Sequence, residues 1–386
     1  INMKLIKQIT MNLILVYSLV LIFIIILIEY ILRLDIELYS ASSGLNVKKI
    51  PRLTLDRNYE FIDPSQDRVN WEVDSKLGWI LKKNSRLDIK ISIPGLNVSH
   101  KFSYETDSKR RRRSSIKNVS ESSKKKTIAI YGCSFTFGHS LSDNQTYSWL
   151  LQKRFNEKNI YNYAVAGYSL FQSLLVLEKT ILIDKPEIVV IGFHPDLGWR
   201  NTCSINWVER LQNTWKIPSC VSRVNKLIRY KPKGYLSFGS NLRIIKVVEK
   251  VINKLRFYGR GSPKTIHNTM EHLLLQIQKT CQKNSTKLLI ACIDESSEYY
   301  NFLDKNNFDW CITGVNTTET NEKGVFKWIS FPFDNHPNEL AHKKYAKSIE
   351  EAIRTLLKDG DVKPKVESYS IPNYHGDRGQ YVYPHS

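Results

Sequence analysis

The chain has 386 residues, enough for one large domain, or a catalytic domain with a smaller companion, without disulfide support. Its net charge of +20 favours anionic partners such as phospholipid headgroups, acidic glycans or nucleic acid, and does not choose among them. The six cysteines form no C-x-x-C pair and no zinc-finger or zinc-ribbon spacing, which argues against a structural metal.

Residues 1–35 predict a membrane anchor. From Gln8 to Ile28 no charge interrupts a run that is apolar on every helical face, and roughly 20 such residues cross a bilayer core. Lys4 and Lys7 precede it, Glu29 and Asp35 follow, and no small-residue cleavage site is present, so it reads as an uncleaved signal anchor. This single-pass topology puts the remainder outside the cytoplasm, in a periplasm or at the cell surface; Arg33, Lys48, Lys49 and Arg52 weigh against that orientation, and a cleaved signal peptide is the rival.

Residues 36–126 predict a small β-rich lead-in module, with Leu87 to Ile93 alternating ahead of the turn Pro94-Gly95. The run Lys109-Arg110-Arg111-Arg112-Arg113 and the later Lys124-Lys125-Lys126 read as an exposed, solvated linker. No nucleic-acid recognition motif accompanies them, so no specific nucleic-acid partner is expected.

Residues 127–358 alternate between apolar strands and helices, the pattern of a parallel sheet covered on both faces. Within them, 205–265 reads as a basic insertion; Leu242 to Ile252 has an amphipathic helical period, suited to packing on a core or lying on a membrane surface. Residues 359–386, with Pro364, Pro372 and Pro384, read as an irregular tail. Cys203 and Cys220 flank one short loop and are the pair to expect joined outside the cytoplasm; six buried thiols are the alternative.

The strand ending at Tyr131 runs into Gly132-Cys133-Ser134-Phe135-Thr136-Phe137-Gly138 and then a helix, which puts Ser134 where an open parallel sheet presents its ligand crevice. A serine hydroxyl needs an imidazole to take its proton and a carboxylate to orient that imidazole. Asp334-Asn335-His336-Pro337-Asn338, just before the helix Glu339 to Leu357, supplies both.

In this order the blocks resemble the SGNH hydrolases, the GDSL esterase and lipase superfamily. The first is similar to Gly132 through Gly138 with Asp143 and Thr146, the second to Asn162 through Ser169, and the last to Asp334 through Asn338. The resemblance implies an α/β fold with a doubly wound parallel sheet in a three-layer, flavodoxin-like arrangement; no cofactor is expected, and the six-residue spacing of His336 and His342 is not that of a helical zinc site. It implies Ser134 as nucleophile, His336 as base, Asp334 as orienting carboxylate, and an oxyanion hole from the N–H groups of Ser134 and Gly167. This chain departs from the family in three places. Cys133 replaces an aspartate. Asp334 lies two residues before His336 rather than three, the form similar to SGNH domains tied to polysaccharide O-acetylation. Gly192-Phe193-His194-Pro195-Asp196 lacks the oxyanion asparagine, for which Asn201 or His194 are the substitutes. The expected function is a membrane-tethered serine esterase or deacylase acting on acyl esters of an envelope glycan or lipid. An O-acyltransferase of extracytoplasmic polysaccharide and a weakened glycan-binding scaffold are the alternatives; no oligomeric state is implied.

Overall fold

Strands buried on both faces of a parallel sheet are written as continuous apolar runs, and such runs form the centre of this protein. The computed structural model describes residues 3–42, 58–61, 70–93, 96–115, 125–210, 216–224, 226–239, 241–322 and 324–364. The Pro94-Gly95 turn, most of the linker after Ser115 and the tail beyond Pro364 therefore lie outside the described residues.

In chain order, helix α1 (Met3–Ser42) precedes strands β1 (Asn58–Phe61), β2 (Trp71–Asp74), β3 (Gly78–Leu81), β4 (Arg86–Ile93) and β5 (Val98–Glu105). Then come β6 (Thr127–Tyr131), α2 (Ser134–Phe137), α3 (Tyr147–Arg154), β7 (Asn159–Asn162), α4 (Leu170–Asp184) and β8 (Ile188–Phe193). Helices α5 (Leu197–Asn201) and α6 (Ile205–Arg210), the strands β9 (Ile217–Arg223) and β10 (Lys226–Lys233), and helices α7 (Arg243–Arg256) and α8 (Pro263–Lys283) follow. The chain continues with β11 (Lys287–Cys292), α9 (Tyr300–Lys305), β12 (Asp309–Ile312) and α10 (Glu339–Leu357).

Two compact units result, Ile1–Leu53 with Tyr235–Tyr258, and Thr54–Gly234 with Gly259–Ser386. In the second, β7-β6-β8-β11-β12 form an all-parallel sheet. Numbered along the chain this is the order 2-1-3-4-5 of a doubly wound sheet, the fold expected above. Right-handed crossovers put α3 on one face and α4 and α8 on the other; α10 packs with α3, and α4 with α8. Helix α8 shows why: Met270, Leu273, Leu274, Ile277 and Cys281 recur on one stripe and are buried, each large side chain contributing about 1.5–3 kcal/mol. The chain reverses direction across the sheet between β6 and β8, so ligands are expected beyond the carboxyl ends of these two strands. Ser134 follows one and His194 the other.

The lead-in strands belong to this unit: β1, β4 and β5 pair antiparallel, and β2 with β3. The insertion contains an antiparallel β9–β10 pair that the sequence reading leaves out. All six cysteines are buried free thiols, so Cys203 and Cys220 are not joined.

The first unit contains α1 and α7. Thr10–Tyr30 of α1 is unburied, with a mean hydropathy of 3.0, and is long and apolar enough to cross a membrane.

Candidate active site

The turn after β6 is built around two glycines. A Cβ at Gly132 would sit 2.3 Å from Thr136 Oγ1, and one at Gly192 1.9 Å from the same atom, so both strand ends must be bare for Thr136 to enter. Ser134 then opens α2 at 4% exposure. Gly138 closes that helix at φ 85° and donates its N–H to Ser134 O, a left-handed position that suits glycine.

Arg112 locks the far end of α2. Its guanidinium, fully buried, donates to Phe137 O at 2.8 Å, Gly138 O at 2.6 Å and Leu141 O at 2.6 Å, and pairs with Asp143 at 2.8 Å. The basic run is thus not a solvated linker. Arg111 lies 3.7 Å over the Tyr161 ring and pairs with Asp107, Arg110 binds Leu81 O and Glu72, and Arg113 pairs with Glu105. Carbonyls left unpaired at a helix end attract such donors.

Asp334 and His336 meet. Asp334 Oδ2 lies 2.8 Å from His336 Nδ1, and Oδ1 accepts the Asn335 N–H at 2.7 Å. The loop is shaped by Ser330 O, which accepts the N–H of Phe333 and Asp334, and by Asn338, which caps α10 through the Ala341 N–H. The segment just after α2 clasps this loop. The Ser140 hydroxyl donates to Asp334 Oδ2, His139 Nε2 lies 3.9 Å from the same oxygen, and the rings of His139 and His336 are 4.6 Å apart. Burial pushes the Asp334 carboxyl up, but the charge and hydrogen bond of His336, then His139 and Ser140, outweigh it and hold the carboxyl well below its usual range. Burial, helped by His336, lowers His139 to about 4.

Ser134 and His336 are linked through Phe135. Its ring meets His336 edge-on at 5.7 Å and stacks on His194 at 4.6 Å. Among the described residues no hydrogen bond joins Ser134 Oγ to His336. Donor atoms of His139, Asp334 and His336 lie within 4.8 Å of one another, close enough to share a cation. Asp334 Oδ2 is already committed to the His336 ring and the Ser140 hydroxyl.

Gly167 sits at φ 81°, where its missing side chain admits the Trp79 ring; a Cβ would be 3.1 Å from Trp79 Cζ2. The β2–β3 pair thereby buttresses the second block: Trp79 Nε1 donates to Ala166 O at 3.2 Å and Tyr168 Oη donates to Trp79 O at 2.6 Å. Asn162 joins that block to the first, donating to Thr136 O and Ser148 Oγ and accepting from the Ala164 N–H. Among the described residues no acceptor engages the N–H of Ser134 or Gly167. Asn201 requires a correction. It is fully buried, its side-chain carbonyl accepts the Phe171 N–H at 2.9 Å and its amide faces Met270 Sδ at 3.6 Å, so it braces α4 and α8 instead of offering an oxyanion donor. His194 accepts the Asp196 N–H through Nδ1, and its Nε2 has no hydrogen bond of good geometry. Burial opposes ionisation of both His194 and Cys133, but each favours the other's charged form, lowering the thiol and raising the imidazole.

Arg112, His139, Ser140 and Trp79 were missed as site neighbours because the contacts that recruit them are long-range. His139 and Ser140 carried one signal, their place directly after the first block.

No protein-family model matches the sequence, and no curated protein matches it. Solved structures similar to the chain include TesA, 14% identical, covering 60% of this chain and 99% of that one with a TM-score of 0.33. A GDSL-like lipase from Bacteroides thetaiotaomicron VPI-5482 is 10% identical over 60% of this chain and 89% of its own, with a TM-score of 0.33. A catalytic mutant of an acetylxylan esterase from Geobacillus stearothermophilus is 12% identical over 59% and 94%, with a TM-score of 0.31. The lipase is of the GDSL class that the sequence blocks resemble.

Proposed function

We propose that the chain is a serine hydrolase of ester bonds. The observation that carries this reading is the Asp334–His336 pair at 2.8 Å, clasped by the segment that continues from Ser134. Ser134 Oγ attacks the acyl carbon as its proton passes to His336 Nε2; the C–O bond of the ester breaks, and the alcohol leaves with that proton. Water then repeats the sequence on the acyl-enzyme, returning Ser134 and releasing the acid. Asp334 stays ionised, orients His336 and stabilises its cation. The N–H groups of Ser134 and Gly167 receive the oxyanion; His194 is the nearby ring available as a third donor, in place of Asn201. The apolar α1 segment supports a membrane tether with the site outside the cytoplasm, which favours acyl esters on an envelope glycan or lipid as substrate. Transfer to a sugar hydroxyl would use the same acyl-enzyme.

A fluorophosphonate probe should label Ser134, and Ser134→Ala or His336→Ala should abolish p-nitrophenyl acetate turnover. Absence of labelling beside a reactive control esterase, or turnover that survives His336→Ala, would rule the triad out and leave a glycan-binding scaffold.

A further inference from the structure

Helix α7 is inside out for a protein surrounded by water. On a helical projection Ile244, Val247, Val248, Val251, Ile252 and Leu255 share one apolar stripe, which such a helix normally buries. Here Val247, Val248, Val251 and Leu255 are 47%, 46%, 52% and 70% exposed, while the polar Glu249 and Asn253 on the other side are 5% and 0% exposed. That inversion is held in place. Asn253 exchanges two 2.9 Å hydrogen bonds with the Leu236 backbone, and Glu249 accepts from the Phe238 N–H and the Ser237 hydroxyl. Polar groups turned inward and apolar groups turned outward are what a hydrocarbon solvent selects.

The neighbouring element says which solvent. The Ile244 N–H, in the first turn of α7, is bound at 2.9 Å by Glu29 Oε2, at the end of the apolar stretch Thr10–Tyr30 of α1. A helix fastened to the end of a membrane span lies at the depth of the lipid headgroups. Lys246, Lys250 and Lys254 flank the stripe and are exposed, placed to reach anionic headgroups while their stems cover the apolar edge.

We infer that α7 is an interfacial helix, with Val247, Val248, Val251 and Leu255 seated in the acyl boundary of a bilayer and the lysines on anionic phospholipid. The inference rests on the reading of α1 as a span, so the experiment separates the two. Because the native cysteines are buried, an environment-sensitive fluorophore can be placed singly on Leu19→Cys, Val251→Cys or the exposed Lys283→Cys of the full chain in nanodiscs. With phosphatidylglycerol present, doxyl-labelled lipid should remove most emission at positions 19 and 251, and iodide most emission at 283. Lys246→Gln, Lys250→Gln and Lys254→Gln together should abolish the added quenching at 251 that phosphatidylglycerol gives over phosphatidylcholine alone. Iodide quenching at 251, or protection there from both quenchers as if a protein surface covered the stripe, overturns the inference while quenching at 19 leaves the anchor standing. An unquenched position 19 overturns both, and a response at 251 indifferent to phosphatidylglycerol overturns the headgroup assignment.

Discussion

Two sets of polar side chains surround Ser134, and they are held in opposite ways. The Arg112 guanidinium is fully buried and meets three carbonyls and one partly buried carboxylate. The Asp334, His336 and His139 set is partly open to solvent and shares one carboxylate oxygen among several donors. A buried ion with each donor nitrogen engaged fixes a shape. The scaffold and the chemistry are thus separable, although both touch the same short helix.

Mutation should pull them apart. Asp334→Asn leaves the loop near its place but favours the wrong tautomer of His336, so kcat should fall about 10⁴-fold, with about 1 kcal/mol of stability lost. Steady-state kinetics beside thermal unfolding of the detergent-solubilised chain checks this, and an equal loss in both would merge the two sets. Arg112→Met should do the reverse. It strips a partner from Asp143 and three carbonyls inside the fold, and should cost about 3–5 kcal/mol. A melting temperature left unchanged by Arg112→Met would remove it from the scaffold.

A milder handle is acid. His342 is fully buried, stacks on Tyr147 and accepts the Tyr147 N–H at 3.1 Å; burial, reinforced by Arg112 and His336, lowers it to about 3. The unfolded chain binds this proton near pH 6.5 and the folded chain does not until about 3. Between those values the unfolded state holds more protons, so stability falls as the pH is lowered through the window, by a few kcal/mol in full. His342→Asn keeps an acceptor for the Tyr147 N–H and removes the titration. Its melting temperature should vary less between pH 6.5 and 4 than that of the parent chain, since the His342 titration no longer contributes.

What the sequence made legible follows from how far each signal reaches. The central sheet was readable because Ile128 to Tyr131, Ile188 to Ile191 and Leu288 to Ile293 are short apolar runs with helical periods between them. The place of Ser134 after the first central strand and the Asp334–His336 contact were readable because glycine spacing and the Asp-x-His step are local. The fate of the arginines was not, since five adjacent basic residues have the composition of a solvated loop. Their pocket exists only once Tyr104, Phe137, Tyr161 and the carbonyls ending α2 have assembled. Asn201 failed for the same reason: its nearness in sequence to β8 says nothing of Phe171 and Met270, which claim it. The α7 stripe was legible as amphipathic, but not which side would face inward; that depends on Glu249 and Asn253 meeting the 236–238 backbone.

Gly167 lies outside both sets, packed on Trp79, and as a proposed oxyanion donor it gives the finest test of whether scaffold and chemistry separate. Its φ of 81° is one that a side chain tolerates poorly, and Trp79 already occupies the space a Cβ needs. Gly167→Ala should cost about 1–2 kcal/mol in backbone strain. On the proposed reading the same strain shifts an oxyanion donor, and a displaced donor should lower kcat by roughly 10²-fold, while KM changes little because the interaction strengthens in the transition state. Trp79→Ala relieves the crowding without touching the backbone φ. Combined with Gly167→Ala, it should cost about a further 3–5 kcal/mol for the emptied, fully buried Trp79 site and recover little of kcat if the donor's position depends on the left-handed turn. Full recovery of kcat in the double variant would mean that the Trp79 ring alone sets where the Gly167 N–H points.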